Sequence, residues 1–272
     1  MKIKEIWRYP VKSMQGESID SGSMTSNGLE GDRAWALWDG VTIRGAKKFA
    51  QLMQAKAWYE EPGKAPLVQL PDQAPFSAED TECNAHLSDF CGADVTLEPL
   101  RSPDDLDYYR RVAEERSEAE ARAFFGLGPD DPFPDFSRFP SSVAEYASPP
   151  GTYFDCFSLH IMTTSSLKSL QALAPDSQID ARRFRPNLII ETDEEGFPET
   201  GWEGKKLKVG DVVINLTLMC PRCVMPTIGF DEFKKDPGIM RTLVQNCQHS
   251  LGIYAEVEQP GTLQVGAEVQ LI

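Results

Sequence analysis

Apolar and polar residues alternate in short runs along the first hundred residues. The opening "MKIKEIWRYPVKS" predicts a strand that ends at Pro10. A turn-rich run leads into an aromatic strand over residues 34–38, and Asp39-Gly40 predicts a hairpin turn after it. Further short strands are expected within "APLVQL" and "DVTLEPL". Short strands joined by Gly- and Pro-rich turns predict an antiparallel β domain.

The pattern changes over residues 104–150. Residues 104–125 are highly charged and rich in helix formers, and Gly126 is a plausible helix stop. The run that follows carries prolines at positions 129, 132, 134, 140, 149 and 150. Such a long irregular segment is typical of a connection between domains or of a lid. Because it also carries several aromatic residues, we expect it to pack against the rest of the protein.

Strands dominate again after residue 150. "FDCFSLHIMT" predicts a strand, and the helix after it, "SSLKSLQALAP", is expected to be capped by Thr164 or Ser165. This half is completed by an apolar strand over "RPNLIIET", a hairpin around Gly210-Asp211 and two closing strands around Pro260-Gly261. The chain is therefore predicted to be mainly β with peripheral helices, an α+β protein built on β-barrels.

The charge of the chain argues against two classes of partner. A formal net charge of −15 opposes binding to nucleic acid or to an anionic membrane, both of which need surface Lys and Arg. The N-terminus lacks the apolar core of a secretory signal, and no run approaches the roughly 20 apolar residues of a membrane span. Six cysteines are too few for a disulfide scaffold, so we expect reduced thiols in a cytoplasmic protein.

The stretch "LMCPRCVMPTIG", residues 218–229, carries the most specific chemistry. A zinc site would need Cys220, Cys223, Cys247 and His249, but the spacing of the last two is unusual and turn-forming glycines are missing. A redox dithiol normally sits at a helix start, whereas Pro226 would break a helix that began at Cys220.

Packing alone suits the other cysteines, Cys83, Cys91, Cys156 and Cys247. It does not explain Arg222, a charge between the two thiols. The remaining interpretation is a single thiolate at a strand end beside a cation. Such an arrangement suits a soft metal.

Six motifs in order along the chain resemble those of the MOSC family, named after the C-terminal domain of molybdenum cofactor sulfurase. They are "YPVKSMQG" (9–16), "GLEGDRAWALWD" (28–39), "HIMTTSSL" (160–167), "RFRPNLII" (183–190), "CPRCVMPTIG" (220–229) and "PGTLQVGAEVQLI" (260–272). The resemblance implies an N-terminal MOSC β-barrel domain over residues 1–103, a helical and Pro-rich connection over 104–150, and a MOSC domain over 151–272.

The chain resembles the family's reductase branch, the mitochondrial amidoxime reducing component and its bacterial relatives. That branch holds a molybdenum–pterin cofactor, and the resemblance implies that Cys223 is the protein ligand of the metal. It also implies a set of cofactor-binding residues: Lys12, Ser13, Arg33, Thr163, Thr164, Ser165, Ser166, Arg185, Asn187 and Arg222. Relatives often have an arginine where this chain has Lys47, so Lys47 is expected to replace it.

The residue types agree with that implication. Lys and Arg side chains and the donors at a helix start bind phosphate dianions, and Thr163 to Ser166 lie where a strand leads into a helix. His160 could act as a proton donor at the strand end, although a lone histidine there is more often a packed core residue.

We therefore expect an enzyme that reduces small N-hydroxylated compounds through a Cys-ligated molybdenum centre. The alternatives are a carrier of sulfur or of the molybdenum cofactor without turnover, and a structural zinc module. The sequence has neither a Gly-rich dinucleotide fingerprint nor a four-cysteine iron–sulfur run, and it stops without a ferredoxin domain. A separate electron donor, a ferredoxin or a flavin reductase with a basic face, is therefore expected.

Overall fold

The computed structural model describes residues 1–61, 63–112 and 117–272. Its strands are short in the first half of the chain and longer in the second. They are β1 (Lys2–Arg8), β2 (Glu17–Ile19), β3 (Ser21–Thr25), β4 (Gly28–Leu29), β5 (Trp35–Trp38), β6 (Ile43–Arg44), β7 (Lys56–Trp58), β8 (Leu67–Gln69), β9 (Phe76–Ser77), β10 (Thr96–Pro99), β11 (Leu159–Thr163), β12 (Leu188–Glu191), β13 (Lys206–Val209), β14 (Val212–Pro221), β15 (Ser250–Gln259), β16 (Gly261–Gln264) and β17 (Gln270–Leu271).

The helices lie between the strands. The α-helices are α1 (Cys83–Cys91), α2 (Leu106–Tyr109), α3 (Glu118–Phe125), α4 (Ser142–Glu145), α5 (Thr164–Leu173) and α6 (Pro237–Asn246). Single 3₁₀ turns occupy Ala50–Gln54, Ala181–Arg183, Pro198–Gly201 and Met225–Thr227. The predicted architecture, mainly β with peripheral helices, is confirmed.

The largest sheet combines strands from both ends of the chain. Its eight strands run in the order β17-β13-β14-β15-β11-β12-β1-β2. The N-terminal strand β1 pairs antiparallel with β12, and β12 pairs parallel with β11. In a smaller sheet β3 pairs with β16. Apolar side chains from both halves, among them Ile3, Ile6, Ile190 and Leu263, therefore share one core.

A second core lies within the first half and is closed by the second. It is formed around the sheets β10-β5-β6 and β7-β8-β9, with Leu37, Leu52 and Leu87 fully buried. Phe230 and Phe233 pack into it from the loop that follows β14. The hairpin predicted at Asp39-Gly40 is confirmed, because β5 pairs antiparallel with β6.

The helices differ from the sequence prediction in several places, among them α4, which lies in the run predicted to be irregular. No helix was predicted at α1, whose apolar face is made by Cys83, Leu87 and Cys91 at successive turns. None was predicted at α6 either, although Asp236 caps its start by accepting a hydrogen bond from the amide of Gly238. The cap of α5 was wrong, because the Thr163 side chain, not that of Thr164 or Ser165, accepts from the Ser166 amide. Thr163 is the last residue of the strand, and from this position its hydroxyl can reach an unpaired amide of the first helical turn.

The described part of the charged segment 104–125 contains the helices α2 and α3. Residues 113–116 of the predicted helical run lie outside the described residues. The helix α3 begins with a capping box formed by Ser117 and Glu120, and it ends at Gly126, whose φ of 66° confirms the predicted stop. The Pro-rich run then packs through its rings, as predicted: Phe125 lies 5.6 Å from Phe136, measured between ring centroids.

No helix in the described ranges is long and apolar enough to cross a membrane.

We expect residues 151–272, expressed alone, not to fold cooperatively. Without the first half, β12 and β16 each lose a partner strand, and the apolar residues that face Ile3 and Ile6 become exposed to water. Thermal unfolding followed by circular dichroism measures this, with the full chain as the control. A cooperative transition and a strand-type spectrum from the fragment would contradict the expectation.

Candidate functional site

The end of β14 presents Cys220 and Arg222 on its buried side. Cys220 is 2% exposed and Arg222 is 9% exposed. The Arg222 guanidinium donates from Nη1 to Cys220 Sγ at 3.0 Å and from Nη2 to the Phe184 carbonyl at 2.8 Å. Burial raises the pKa of the Cys220 thiol, and Arg222 only partly opposes this. Cys220 is therefore a buried thiol with an arginine partner.

Cys223 follows in the loop before the 3₁₀ turn, where it is half-buried and free. The backbone of the next residue is fixed, because the Val224 amide donates to the Phe124 carbonyl at 3.1 Å. The pKa of Lys47 is raised chiefly by Asp155 and to a smaller extent by Cys223. Cys223 is thus a half-buried free thiol in a loop whose backbone is held in place.

A carboxylate joins two lysines at this opening. Asp155 Oδ1 lies 2.6 Å from Lys12 Nζ, and its Oδ2 lies 3.2 Å from Lys47 Nζ. Lys12 Nζ also donates to the Tyr153 carbonyl at 2.7 Å. Desolvation opposes ionisation of Asp155, but the two ammonium groups outweigh it and hold the pKa of the carboxyl well below its usual range. Burial lowers the pKa of Lys12, and Asp155 counters that shift in part.

Two arginines lie behind the lysines on left-handed backbone. Arg33 has a φ of 48° and Arg185 a φ of 58°. Both guanidinium groups stack on Tyr9, at 5.0 Å and 4.2 Å from its ring centroid respectively. Arg185 donates from Nη1 to the Met14 carbonyl, and Arg33 donates from Nη2 to the Arg185 carbonyl at 3.3 Å. Burial, followed by the nearby Arg33, lowers the pKa of Arg185 to about 10.

Asp32 and Asn187 hold this arrangement together. Asp32 accepts hydrogen bonds from the Tyr9 amide at 2.7 Å, from Asn187 Nδ2 at 2.9 Å and from Arg33. Asn187 also accepts from the His160 amide and donates to the Trp7 carbonyl. The side-chain amide of Asn187 is thus already used in linking β1, β11 and β12, and its predicted contact with a cofactor stays a prediction.

Ser13 brings two loops of the site into contact. It has a φ of 70° and is 9% exposed. A Cβ on Gly45 would lie 2.5 Å from Ser13 Oγ, so only glycine allows the loop that carries Lys47 to approach so closely. Ser13 and Gly45 therefore bring the loops of Lys12 and Lys47 into close contact.

The hydroxyls at the start of α5 are bonded to other parts of the protein. Glu199 lies buried there and accepts from the Thr163 amide at 2.5 Å and from Ser166 Oγ. Ser165 Oγ donates to the Thr192 carbonyl at 3.3 Å and to the Glu194 carbonyl, and Thr164 Oγ1 accepts from the Thr192 amide at 3.4 Å.

Glu199 fills the place that an external anion would take at this helix start. Its pKa is raised by burial. No hydrogen bond or ion pair in the described chain joins Thr163, Thr164, Ser165 or Ser166 to the lysines and arginines of the site. A direct role of these four hydroxyl residues in cofactor binding stays a prediction.

The histidines make structural contacts. The His160 ring lies 3.2 Å from the Leu251 carbonyl, and burial together with Arg222 holds the pKa of His160 well below its usual range. His160 is therefore neutral at pH 7, as a core residue. His249 Nε2 donates to the Phe125 carbonyl at 2.7 Å. Among the described residues, no group of three or more His, Cys, Asp or Glu side chains is arranged to hold a metal ion, which argues against the zinc alternative.

The chemistry of the cluster fits an anionic ligand. Lys12 and Lys47 pair with Asp155, and Arg33 pairs with Asp32. Two further cations adjoin them: Arg33 donates to the Arg185 carbonyl, and Arg222 donates to the carbonyl of Phe184, the residue before Arg185. Two buried donors, Arg185 Nη2 and Arg222 Nε, have no hydrogen-bond partner in the described chain. Unpaired buried donors of charged groups are costly, so their presence indicates a place for acceptor atoms supplied from outside.

Three residues of the site were missed by sequence reasoning. Asp32 follows directly from the "GDR" motif and could have been found there. Asp155 lies in the loop before β11 and Glu199 in the 3₁₀ turn Pro198–Gly201, and neither belongs to one of the recognised motifs. Their roles come from contacts with residues far away along the chain.

Two family models match this chain. The model described as "MOSC N-terminal beta barrel domain" matches residues 1–109, and the model described as "MOSC domain" matches residues 149–270. Each match covers one of the two halves that meet at the site.

Several curated proteins are similar over most of the chain. The mitochondrial amidoxime reducing component 2 of Bos taurus is 29% identical over 98% of this chain and 82% of its own length. The mitochondrial amidoxime-reducing component 1 of Homo sapiens is 24% identical over 99% of this chain and 82% of its own. The molybdenum cofactor sulfurase of Drosophila grimshawi is 26% identical over 90% of this chain, but that match covers 31% of the sulfurase.

We expect Asp155→Asn to bind inorganic pyrophosphate more tightly than the wild type when both are prepared free of cofactor. The substitution removes the carboxylate that neutralises Lys12 and Lys47, at a half-exposed position where such a pair contributes about 1 kcal/mol, or roughly fivefold in affinity. Titration calorimetry measures it. Glu258→Gln, which removes the exposed partner of Lys206 elsewhere on the surface, is the matched control. Unchanged or weaker binding by Asp155→Asn would show that Asp155 does not compete with anions.

Proposed function

Because the chain belongs to the MOSC-domain family, with the N-terminal beta barrel domain ahead of the MOSC domain, we propose that it binds a molybdenum–pterin cofactor and reduces N-hydroxylated compounds. Its similarity to amidoxime reducing components over nearly the whole chain supports the reaction class. One observation in the structure carries the proposal: unpartnered donors of two buried arginines lie in a cationic cluster that also contains a half-buried free thiol.

The chain's own residues provide for each part of such a cofactor. Arg185 and Arg222 would donate their unpartnered N–H groups to its anionic atoms, and Lys12 would hold its phosphate with Arg33. Cys223 would ligate the metal, because a thiolate is the soft ligand that suits molybdenum. When bound, the cofactor supplies a metal that can exchange two electrons with the substrate.

The protein around the thiol is built to keep that ligand in place. Arg222 is held by the His249 carbonyl, the Phe184 carbonyl and Cys220, so the backbone before Cys223 cannot rotate freely. On the other side, Arg183 donates to the carbonyls of Pro226 and Ile228 and fixes the loop that follows. A ligand fixed from both sides is already placed for binding.

Lys47 is suited to act on the substrate rather than on the cofactor. Its side chain is 41% exposed, and Asp155 raises its pKa, so Nζ stays protonated at neutral pH. Reduction of an N–OH group to N–H releases the oxygen as water. An ammonium can donate a hydrogen bond to that oxygen as it leaves.

A carrier of sulfur or of the cofactor is the second candidate function. The similarity to molybdenum cofactor sulfurases favours it, and a half-buried thiol in an open loop can carry sulfur. The two functions differ in turnover, because a carrier loaded with cofactor would not reduce amidoximes with any reductant.

We expect Cys223→Ser to lose activity and most of the bound molybdenum, and Cys220→Ser to retain the metal with lower thermal stability. Of the two thiols, that of Cys223 is half-buried, whereas that of Cys220 is buried against Arg222. Both variants are made in a host that supplies the cofactor, and bound molybdenum, dye-driven turnover and melting temperature are measured. Loss of metal from Cys220→Ser but not from Cys223→Ser would reverse the assignment.

We expect NADH or NADPH alone not to support turnover by the purified chain, because its sequence has no Gly-rich fingerprint for a nicotinamide or flavin. Amidoxime reduction is assayed with NADH, with a reduced viologen dye, and with NADH plus a ferredoxin or flavin reductase. Turnover with the dye is the control, because it shows that the protein contains the cofactor. With a net charge of −15 we expect the protein-driven rate, and not the dye-driven rate, to fall as salt rises. Turnover with NADH and no added protein would refute the need for a donor.

A further inference from the structure

His249 is hydrogen-bonded to the loop of Cys223 through its backbone and to the end of α3 through its imidazole. The Arg222 amide, directly before Cys223, donates to the His249 carbonyl at 2.9 Å. The imidazole donates from Nε2 to the Phe125 carbonyl at 2.7 Å. Burial lowers the pKa of His249, so the imidazole is neutral at pH 7, and its proton lies on Nε2 because a carbonyl can only accept. One residue therefore connects α3 to the backbone before the candidate metal ligand.

The same helix end is hydrogen-bonded to the backbone after Cys223. The Val224 amide donates to the Phe124 carbonyl at 3.1 Å. Phe124 directly precedes Phe125, so this contact and the two hydrogen bonds of His249 form one closed cycle. Cys223 lies between the two points at which its loop joins the cycle. If the imidazole contact is lost, the cycle opens and the loop is restrained by fewer bonds.

His249 reaches both of its partners from a left-handed backbone. Its φ is 65°, and that of the preceding Gln248 is 47°. The His249 amide donates to the Leu243 carbonyl, in the last part of α6, at 3.0 Å. Residues with a side chain keep this backbone conformation only where surrounding contacts enforce it, and such residues cluster at functional sites. His249 is 5% exposed, so these contacts are shielded from water.

The end of α3 is itself held in place. Arg122 donates from Nη1 to the carbonyls of Gly128 and Asp131, at 2.9 Å and 3.0 Å. A Cβ on Gly126 would lie 3.0 Å from Met240 Cβ, so the helix end packs closely against α6. Hydrogen bonds to this helix end therefore restrain the loop that makes them.

We infer that His249 is a positioning residue for Cys223: its imidazole holds the loop against α3 and thereby fixes the position of the thiol and limits its exposure. The importance of this contact for metal binding rests on the proposed function, whereas the restraint on the thiol does not. Loss of one neutral hydrogen bond in a local contact makes opening of the loop about fivefold more frequent. A half-buried thiol then reacts faster with a reagent in solution.

Two substitutions at one position isolate the donor. His249→Leu removes the N–H group, whereas His249→Gln provides a side-chain N–H, and both residues must adopt the same φ of 65°. Alkylation of Cys223 by iodoacetamide is followed by peptide mass spectrometry in the cofactor-free full chain. We expect it to be about fivefold faster in His249→Leu and within about twofold of the wild type in His249→Gln. Hydrogen exchange of the Val224 amide is expected to follow the same order.

The matched control is His86→Leu, which removes a half-buried histidine that stacks on Phe76 in the first half of the chain. It should leave the alkylation rate of Cys223 unchanged. Cys83, buried in α1, is followed in the two His249 variants to detect global unfolding. The inference would be overturned by equal Cys223 rates in the wild type and His249→Leu, by equal rates in the two variants, or by a parallel rise at Cys83.

Bound molybdenum separates this inference from the proposed function. The same variants are made in a host that supplies the cofactor, and we expect His249→Leu to retain less molybdenum than His249→Gln. If the wild type holds no molybdenum while the difference in alkylation rates persists, the proposed function is refuted and the positioning of the thiol by His249 stands.

Discussion

One buried carboxylate, that of Asp32, holds the two halves of the chain together at the site. It accepts from the Tyr9 amide at the end of β1, from the side chain of Asn187 before β12, and from Arg33. Its side chain is fully buried, so all three donors depend on it. Breaking a buried charged pair by removing one partner typically costs about 3 to 5 kcal/mol. The left-handed backbone of Arg33 and Arg185 persists because this network fixes the residues beside them.

The remaining cations of the site lie in a protein whose overall electrostatic potential is negative. A molecule with a net charge of −15 repels anions at long range, so an anionic ligand must be held by short-range, directional donors. Arg185 and Arg222 offer such donors in buried, rigid positions. Asp155 has the opposite character, because it is half-exposed and its ion pairs among the described residues are with two lysines. The site therefore combines buried, fixed cations with one half-exposed counter-ion.

Sequence patterns located the strands and much of the site, and their failures have physical causes. Alternation predicted β1 and the hairpin of β13 and β14, because a half-buried strand has a period of two. The helix α1 was not predicted, because cysteines form much of its apolar face and the segment around them is polar. The role of Glu199 could not be predicted, since its partner Thr163 lies 36 positions earlier and meets it only through tertiary packing.

The fate of the two thiols in "CPRC" follows from the backbone that carries them. In a helix, residues three apart share a face, so both sulfurs could bind one zinc ion or form one redox pair. Here the chain leaves a β-strand, where side chains alternate from one side to the other. Cys220 and Arg222, two apart, are buried together, whereas Cys223, three from Cys220, is half-exposed. Because the backbone is extended, Arg222 contacts the Cys220 thiol, and the Cys223 thiol remains partly exposed. The interpretation that a single thiolate binds the metal therefore depends on β14 continuing to Pro221.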